Sequence, residues 1–79
     1  MTEATDKQRK YLASLIMKSK CSHDTSLLLD QAAQDLGYEE WTDAPLTKRL
    51  ASCLIDIYLG KADIGLYVWA VRKDAELAA

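Results

Sequence analysis

Apolar residues recur at helical spacing in four stretches of this chain, with polar residues between them. Side chains three and four residues apart lie on the same face of an α-helix, so each stretch predicts a helix that buries one face. The expected fold is all-α: one domain, residues 1–79, folded as a compact bundle of about four helices. The predicted helices are 6–20, 25–36, 47–59 and 64–77.

The first two stretches carry start and stop signals. Thr5 and Gln8 have the spacing of a capping box, in which each side chain bonds the backbone amide of the other residue. Ser22 or Asp24 is expected to cap the second helix, and Gly37 follows its last apolar residue, as at many helix ends. The apolar set of the second helix is Leu27, Leu28, Leu29, Ala32, Ala33 and Leu36.

The third stretch is apolar over most of its circumference, which predicts a helix at the centre of the core. Thr47 is its expected N-cap, and Gly60 is its expected end. The last stretch is ambiguous, because residues 64–71 are rich in the β-branched and aromatic types that favour strands. A lone strand would leave its backbone groups unpaired, so we predict a fourth helix capped by Asp63.

Length and composition limit the classes of protein to which this chain can belong. A chain of 79 residues that is 49% hydrophobic is one small domain with a small core. No apolar run is long enough for a membrane span or a signal peptide, so we expect a cytoplasmic protein that binds no membrane. Cys21 and Cys53 are expected to be free thiols, with a disulfide between them as the alternative.

Charge is distributed unevenly although the net charge is only −2. Residues 21–43 include six acidic residues and no lysine or arginine. Like charges repel one another and oppose folding, so this segment is either a docking surface for a basic partner or a solvated helix face. The predicted docking residues, which include two aromatic anchors, are Asp24, Asp30, Asp35, Tyr38, Glu39, Glu40, Trp41 and Asp43.

Each of the two tryptophans has alternative positions. Trp41, near Tyr38, either closes one end of the core or is an exposed interface anchor. Trp69 is expected in the core, because the helix around it needs an apolar face to bury. The apolar run 64–71 also allows a structural homodimer in which two copies pack through this region.

The basic residues suggest a second class of function, a small nucleic-acid-binding module. A pI near 5.2 argues against it, since domains that bind nucleic acid by charge are usually basic overall. The alternative interpretation is that these residues form the solvent-exposed polar faces of amphipathic helices and bind nothing. The candidate phosphate-binding residues are Lys7, Arg9, Lys10, Lys18, Lys48 and Arg49.

The sequence lacks the groupings that catalysis and metal binding need. His23 is the only histidine, and with Cys21 and Cys53 it would still require an acid such as Asp24 to complete a zinc site. A cysteine and a histidine two residues apart do not meet on a helix face, and no glycine-rich phosphate loop is present. We therefore predict a protein that is not an enzyme and has no cofactor and no metal site.

Two stretches resemble the paired signatures of a small helical domain that is common in bacteria and their mobile elements. Residues 5–15 follow T-x-x-Q-x-x-Y-[IL]-x-x-L, and residues 46–56 follow L-[ST]-x-x-x-A-S-x-x-I-D. That domain is sometimes appended to nucleic-acid-handling proteins. This chain departs from it by the acidic insert 21–43, by a tryptophan-bearing C-terminal helix and by Leu50, where the family tends to have an acid.

Small size, acidity and a helical scaffold also resemble, in general character, phage-encoded anti-CRISPR inhibitors. The combined prediction is a protein-interaction module whose acidic face docks on a basic surface of a nucleic-acid-handling machine. Inhibition of that machine, of the phage or mobile-element anti-defence type, is the expected consequence of occluding its nucleic acid. The alternatives are the nucleic-acid-binding module and the structural homodimer.

Overall fold

A computed structural model describes residues 2–19 and 22–78, and within them the chain forms four α-helices. In chain order these are α1 (Asp6–Lys18), α2 (Ser22–Asp35), α3 (Lys48–Tyr58) and α4 (Gly65–Ala78), with a short 3-10 turn at Trp41–Asp43. The described part contains no β-sheet, only an isolated antiparallel bridge between Glu3 and Thr47. The predicted all-α class is confirmed, and residues 64–71 lie almost entirely in a helix.

Local signals in the sequence account for most helix ends. The Thr5 hydroxyl accepts from the Gln8 amide and the Gln8 side chain accepts from the Thr5 amide, each at 3.1 Å, which completes the capping box. The Asp63 carboxylate accepts from the Gly65 amide at the start of α4. Gly37 and Gly60 have φ values of +96° and +79°, the left-handed conformation that ends helices and favours glycine.

The connection between α1 and α2 differs from the prediction. Helix α1 ends at Lys18 because Ser19 has an extended backbone, and α2 begins at Ser22 rather than at residue 25. Capping by Asp24 is therefore wrong, and the predicted cap at Ser22 depends on a side chain that lies outside what the structure describes. Asp24 lies inside the first turn, where an acidic side chain instead suits the positive end of the helix dipole. Lys20 and Cys21 lie outside the described residues.

Helix α3 lies at the centre of the fold, as predicted. It packs against α1 and α4, while α2 contacts α4, α1 and the 3-10 turn. The largest fully buried side chains are Leu29 from α2, Leu50 and Leu54 from α3, and Tyr67 from α4. Burial of these side chains removes apolar surface from water, which is the main favourable contribution to folding.

The start of α3 is tied to α4 by polar side chains. The Thr47 hydroxyl accepts from the Leu50 amide and donates to the Asp74 carboxylate of α4. The Arg49 guanidinium lies 3.0 Å from the other Asp74 oxygen. Asp74 is only 8% exposed, and a buried carboxylate is tolerated when it is paired and hydrogen-bonded in this way.

The start of α3 also holds the N-terminal segment and α1. The Ala4 amide donates to the Leu46 carbonyl at 3.0 Å, and the Lys48 amide donates to the Thr2 carbonyl at 2.9 Å. The Gln8 side chain of α1 donates to the Lys48 carbonyl at 3.4 Å. Residues 2–4 are thereby held beside the first turn of α3.

Three apolar residues of the predicted helices lie largely outside the core, and one of them, Trp69, was expected inside it. Leu27, Leu28 and Trp69 are 49%, 51% and 52% exposed. Successive residues on a helix differ by about 100° in direction, so three consecutive leucines cannot share one face. Leu29 takes the core position of α2, and Tyr67 with Ala70 takes that of α4.

Among the helices that the structure describes, none combines the length and the apolar character required to cross a bilayer.

Leu29→Ala and Leu28→Ala test whether Leu29 lies on the core face of α2 and Leu28 on its exposed face. Leu29→Ala should lower the free energy of unfolding by about 2–5 kcal/mol, because it leaves a cavity among buried side chains. Leu28→Ala should change it by less than about 1 kcal/mol, because the side chain is half exposed. Urea unfolding followed by circular dichroism measures both, and equal effects would contradict the assigned faces.

Candidate functional site

The surface of α2 that points away from the core combines acidic and apolar side chains. Its residues recur at helical spacing, and all of them are exposed. They are Asp24, Leu27, Leu28, Gln31 and Asp35, and we call this set the α2 outer face. The leucines lie on either side of the stripe that holds the two carboxylates. Half-exposed leucines beside acids form a surface able to bury apolar area and attract positive charge.

Three further acids continue from the end of α2 into the following loop. Glu39, Glu40 and Asp43 are all exposed. Asp43 accepts from the Glu40 amide at 3.0 Å, which fixes the 3-10 turn, and the Gln34 side chain donates to the Glu39 carbonyl at 3.3 Å. The predicted acidic residues therefore extend from the helix into an adjacent, internally bonded loop.

Asp30, Tyr38 and Trp41 have structural contacts instead of full exposure. The Asp30 carboxylate accepts from the Trp41 amide at 2.9 Å, and the Tyr67 hydroxyl donates to the Trp41 carbonyl at 3.1 Å. Trp41 and Tyr38 are partly buried against the core. This arrangement matches the alternative in which the aromatic residues close one end of the core. The Asp30 carboxylate is used to bind the loop backbone.

The Trp41 ring is held on a second side by an aromatic neighbour. Its centre lies 6.3 Å from the centre of the Tyr58 ring, with the two planes tilted by 51°. Tyr58 in turn shares a hydrogen bond of 3.0 Å with the Ser26 hydroxyl of α2. The loop that carries the acids is thus attached to α2, α3 and α4.

The predicted basic residues are distributed over several surfaces. Lys10 and Lys18 lie on the open side of α1 together with Met17, which is 87% exposed. Arg9 instead lines a cleft with Trp41, beside the acidic loop. Lys7 and Lys48 are exposed at the starts of α1 and α3, whereas Arg49 is paired with Asp74. The structure does not gather these cations into one patch.

Residues 64–71 bury most of their apolar side chains within the chain itself. Tyr67, Ala70 and Val71 are buried, and Ile64, Leu66 and Val68 are partly buried against the core. The exposed exception is Trp69, whose ring centre lies 5.9 Å from the guanidinium carbon of Arg49. Little apolar surface of residues 64–71 therefore stays exposed for the contact between two copies that the predicted homodimer requires.

The residues considered for nucleophilic or metal chemistry are separated. Cys53 is buried, and this burial, followed by the nearby charges of Asp56 and Asp74, raises the pKa of its thiol above the ordinary value. His23 is exposed on α2, and Cys21 lies outside the described residues. Within residues 2–19 and 22–78, no three histidine, cysteine, aspartate or glutamate side chains lie close enough to hold a metal ion.

Sequence reasoning missed three exposed apolar residues that now stand out as candidate contact residues: Leu27, Leu28 and Trp69. A signal for the leucines was available, because three consecutive apolar residues in a helix place at least one outside the core face. No comparable signal existed for Trp69, since the apolar run 64–71 has no clear helical stripe.

Tyr67→Phe removes the donor to the Trp41 carbonyl and is expected to lower the free energy of unfolding by about 1 kcal/mol at neutral pH. Burial also raises the pKa of Tyr67 to about 12. An unfolded tyrosine titrates near pH ~10, so the folded state keeps a proton that the unfolded state releases. The contribution of the Tyr67 hydroxyl to the free energy of unfolding is therefore fully present below pH ~10 and is lost as the pH rises through the pKa of the folded state.

Urea unfolding at neutral and at alkaline pH measures this effect. The wild type should lose more stability on alkalinisation than Tyr67→Phe does. Tyr11→Phe is the matched control, because Tyr11 is 48% exposed, and it should follow the wild type. Equal losses in all three proteins would contradict the assigned role of Tyr67.

Comparison of the chain with protein-family models, with curated proteins and with solved structures finds no match. The resemblance to the small bacterial helical domain, and the general likeness to anti-CRISPR inhibitors, therefore stay predictions from the sequence. The physical elements behind the paired signatures are present in the fold, since Thr5 and Thr47 cap α1 and α3.

Proposed function

We propose that this protein is a non-enzymatic protein-interaction module that docks through the α2 outer face on a basic surface of a nucleic-acid-handling protein. The observation that carries the proposal is the composition of that face. Two half-exposed leucines flank two exposed carboxylates on one helix, with the acidic loop beside them.

The leucines supply the apolar contact that a charged surface alone lacks. Leu27 and Leu28 each leave about half of their side chain in water, and burying it against a partner would be favourable. They replace Tyr38 and Trp41 as the proposed anchors, because those aromatic residues are partly buried against the core. An apolar centre surrounded by a polar rim is the usual arrangement of a protein–protein interface.

The carboxylates supply complementarity to a basic partner. The ion pairs found among the described residues join Arg49 to Asp74 and Lys73 to Glu76, so neither uses an acid of the α2 outer face. Because residues 21–43 contain no lysine or arginine, Asp24 and Asp35 have no permanently charged basic neighbour within this segment, and its one titratable base is His23. Such a surface speeds association with a positively charged partner and disfavours acidic ones.

A nucleic-acid-handling protein is the partner class that this chemistry fits best. Proteins that bind DNA or RNA carry basic surfaces that neutralise phosphates. An acidic module seated on such a surface would exclude the nucleic acid and so inhibit the machine. This is the mode of action expected of a phage or mobile-element protein directed against host defence.

The two alternatives have weaker support. Binding of nucleic acid through α1 would need Lys7, Arg9, Lys10 and Lys18 on one surface, and Arg9 lies beside Trp41, apart from Lys10 and Lys18. A homodimer through residues 64–71 would need apolar surface that is mostly buried inside the chain.

The double variant Asp24→Lys/Asp35→Lys tests the proposal. Both residues are exposed, and the charge reversal leaves the 3-10 turn intact, which reversal at Asp43 would not. The wild type and the double variant are each used as bait in nuclease-treated lysate of the source cells. The double variant should fail to capture a protein that the wild type captures, because its affinity for that protein is reduced at least about tenfold. Leu27→Ser/Leu28→Ser should lose the same protein with no change of charge.

Glu3→Lys/Glu76→Lys is the matched control, because it changes the net charge equally at two exposed acids outside α2. It should capture the partner as the wild type does. Circular dichroism confirms that each variant is helical. If all baits capture the same proteins equally, or if capture requires intact nucleic acid, the proposal is wrong.

A further inference from the structure

The outer surface of α4 carries a half-exposed tryptophan among basic side chains. A shallow depression there is lined by Gly65, Val68, Trp69, Arg72, Lys73 and Glu76, and we call it the Trp69 surface. We infer that the Trp69 surface binds single-stranded nucleic acid, with a base stacked on the indole ring and with neighbouring cations at the adjacent phosphates. It shares no residue with the α2 outer face, so this inference is independent of the proposed function.

The indole ring is oriented before any ligand arrives. The Arg49 guanidinium carbon lies 5.9 Å from the ring centre, within the range of a cation–π contact. Arg49 is itself fixed by Asp74, which also binds the Thr47 hydroxyl. A side chain that is already held in place loses less conformational freedom on binding, which favours affinity.

Gly65 lines the same depression as the Trp69 ring. Helical side chains lean toward the N-terminus, so Trp69 extends over the turn that contains Gly65, four residues earlier. The φ of Gly65 lies outside the left-handed region, so the backbone does not require glycine there. A Cβ at this position would meet only the Asp63 carboxylate, at 3.0 Å from Oδ1. A side chain at this position would crowd that carboxylate, which accepts from the Gly65 amide, so glycine fits the start of α4 beside the exposed indole.

The cations of the depression lie one helical turn after Trp69 on α4. Arg72 and Lys73 follow Trp69 by three and four residues, a rise of roughly 5 Å along the axis. Lys48 is exposed beside Arg49 in the adjoining depression. The nearby acids are Asp63 at the opposite end, Asp74, which is paired with Arg49, and Glu76, which is exposed and 4.0 Å from Lys73.

This arrangement of charge places phosphates toward Arg72 and Lys73 and the base toward Gly65. Stacking on an aromatic side chain requires an unpaired base with a free face, which a single strand offers and a duplex does not. The phosphate contacts should make binding weaken as salt is added.

Fluorescence anisotropy of a fluorescein-labelled oligothymidylate, titrated with the full chain at low salt, tests the inference. Binding is expected, it should weaken with added salt, and a duplex of equal length should bind less tightly. Trp69→Ala should reduce affinity at least about tenfold, and Trp69→Phe should lose less, because a phenyl ring still stacks. Arg72→Ala/Lys73→Ala should also bind weakly.

Lys7→Ala/Lys10→Ala is the matched control, since it removes two exposed cations from α1 and changes the net charge equally. It should bind as the wild type does. In a Trp41→Phe background, the emission of Trp69 should be quenched as the oligonucleotide is added. The inference is overturned by absence of binding at low salt, by wild-type affinity of Trp69→Ala, by equal losses in the two double variants, or by unchanged emission.

Discussion

The hydrogen bonds at Thr47 tie together the parts of this fold that are distant in sequence. Its hydroxyl caps α3 and reaches Asp74 of α4, and the backbone on either side of it pairs with residues 2–4. The same Asp74 holds Arg49, which orients Trp69. In so small a domain, whose core contains few fully buried side chains, such a polar junction fixes the positions of helices that apolar contact alone would leave free to slide.

A second set of contacts fixes the acidic loop in the same manner. The backbone of Trp41 is held by Asp30 of α2 at its amide and by Tyr67 of α4 at its carbonyl. The carboxylates that follow α2 are therefore presented by an anchored segment. A surface whose backbone is already ordered binds a partner with a smaller entropic cost than a flexible acidic tail does.

Much of this architecture could be predicted from the sequence because its signals are local. Thr5 with Gln8, Thr47, Gly37 and Gly60 each fix a helix end through contacts within a few residues. The apolar circumference of α3 predicted its central place. The sequence indicates that at least one of three consecutive leucines lies outside the core. Which one is exposed, and whether Trp69 or Tyr67 is buried, depends on how α2 and α4 pack against the other helices. The Asp74 junction joins residues 27 apart and has no sequence signature.

The same distinction applies to the candidate sites. The acidic character of residues 21–43 is visible in the sequence, but the roles of its members are not. Asp30 holds the loop, Asp43 fixes the 3-10 turn, and Asp24 and Asp35 point outward with two leucines. The sequence-based list of cations likewise omitted Arg72 and Lys73, because only the fold shows that they flank an exposed indole. Acidic and basic binding surfaces can coexist on one small protein when they occupy different helices.

Site-specific photo-cross-linking tests the central claim, that the α2 outer face is the working surface, most directly. A photoreactive phenylalanine analogue is placed at Leu28 in one protein and at Ser52, an exposed position on α3, in another. Both are irradiated in nuclease-treated lysate of the source cells. The account predicts a discrete adduct with a basic, nucleic-acid-handling protein from position 28 and none from position 52. Adducts of the same identity and yield from both positions, or none from position 28, would contradict it.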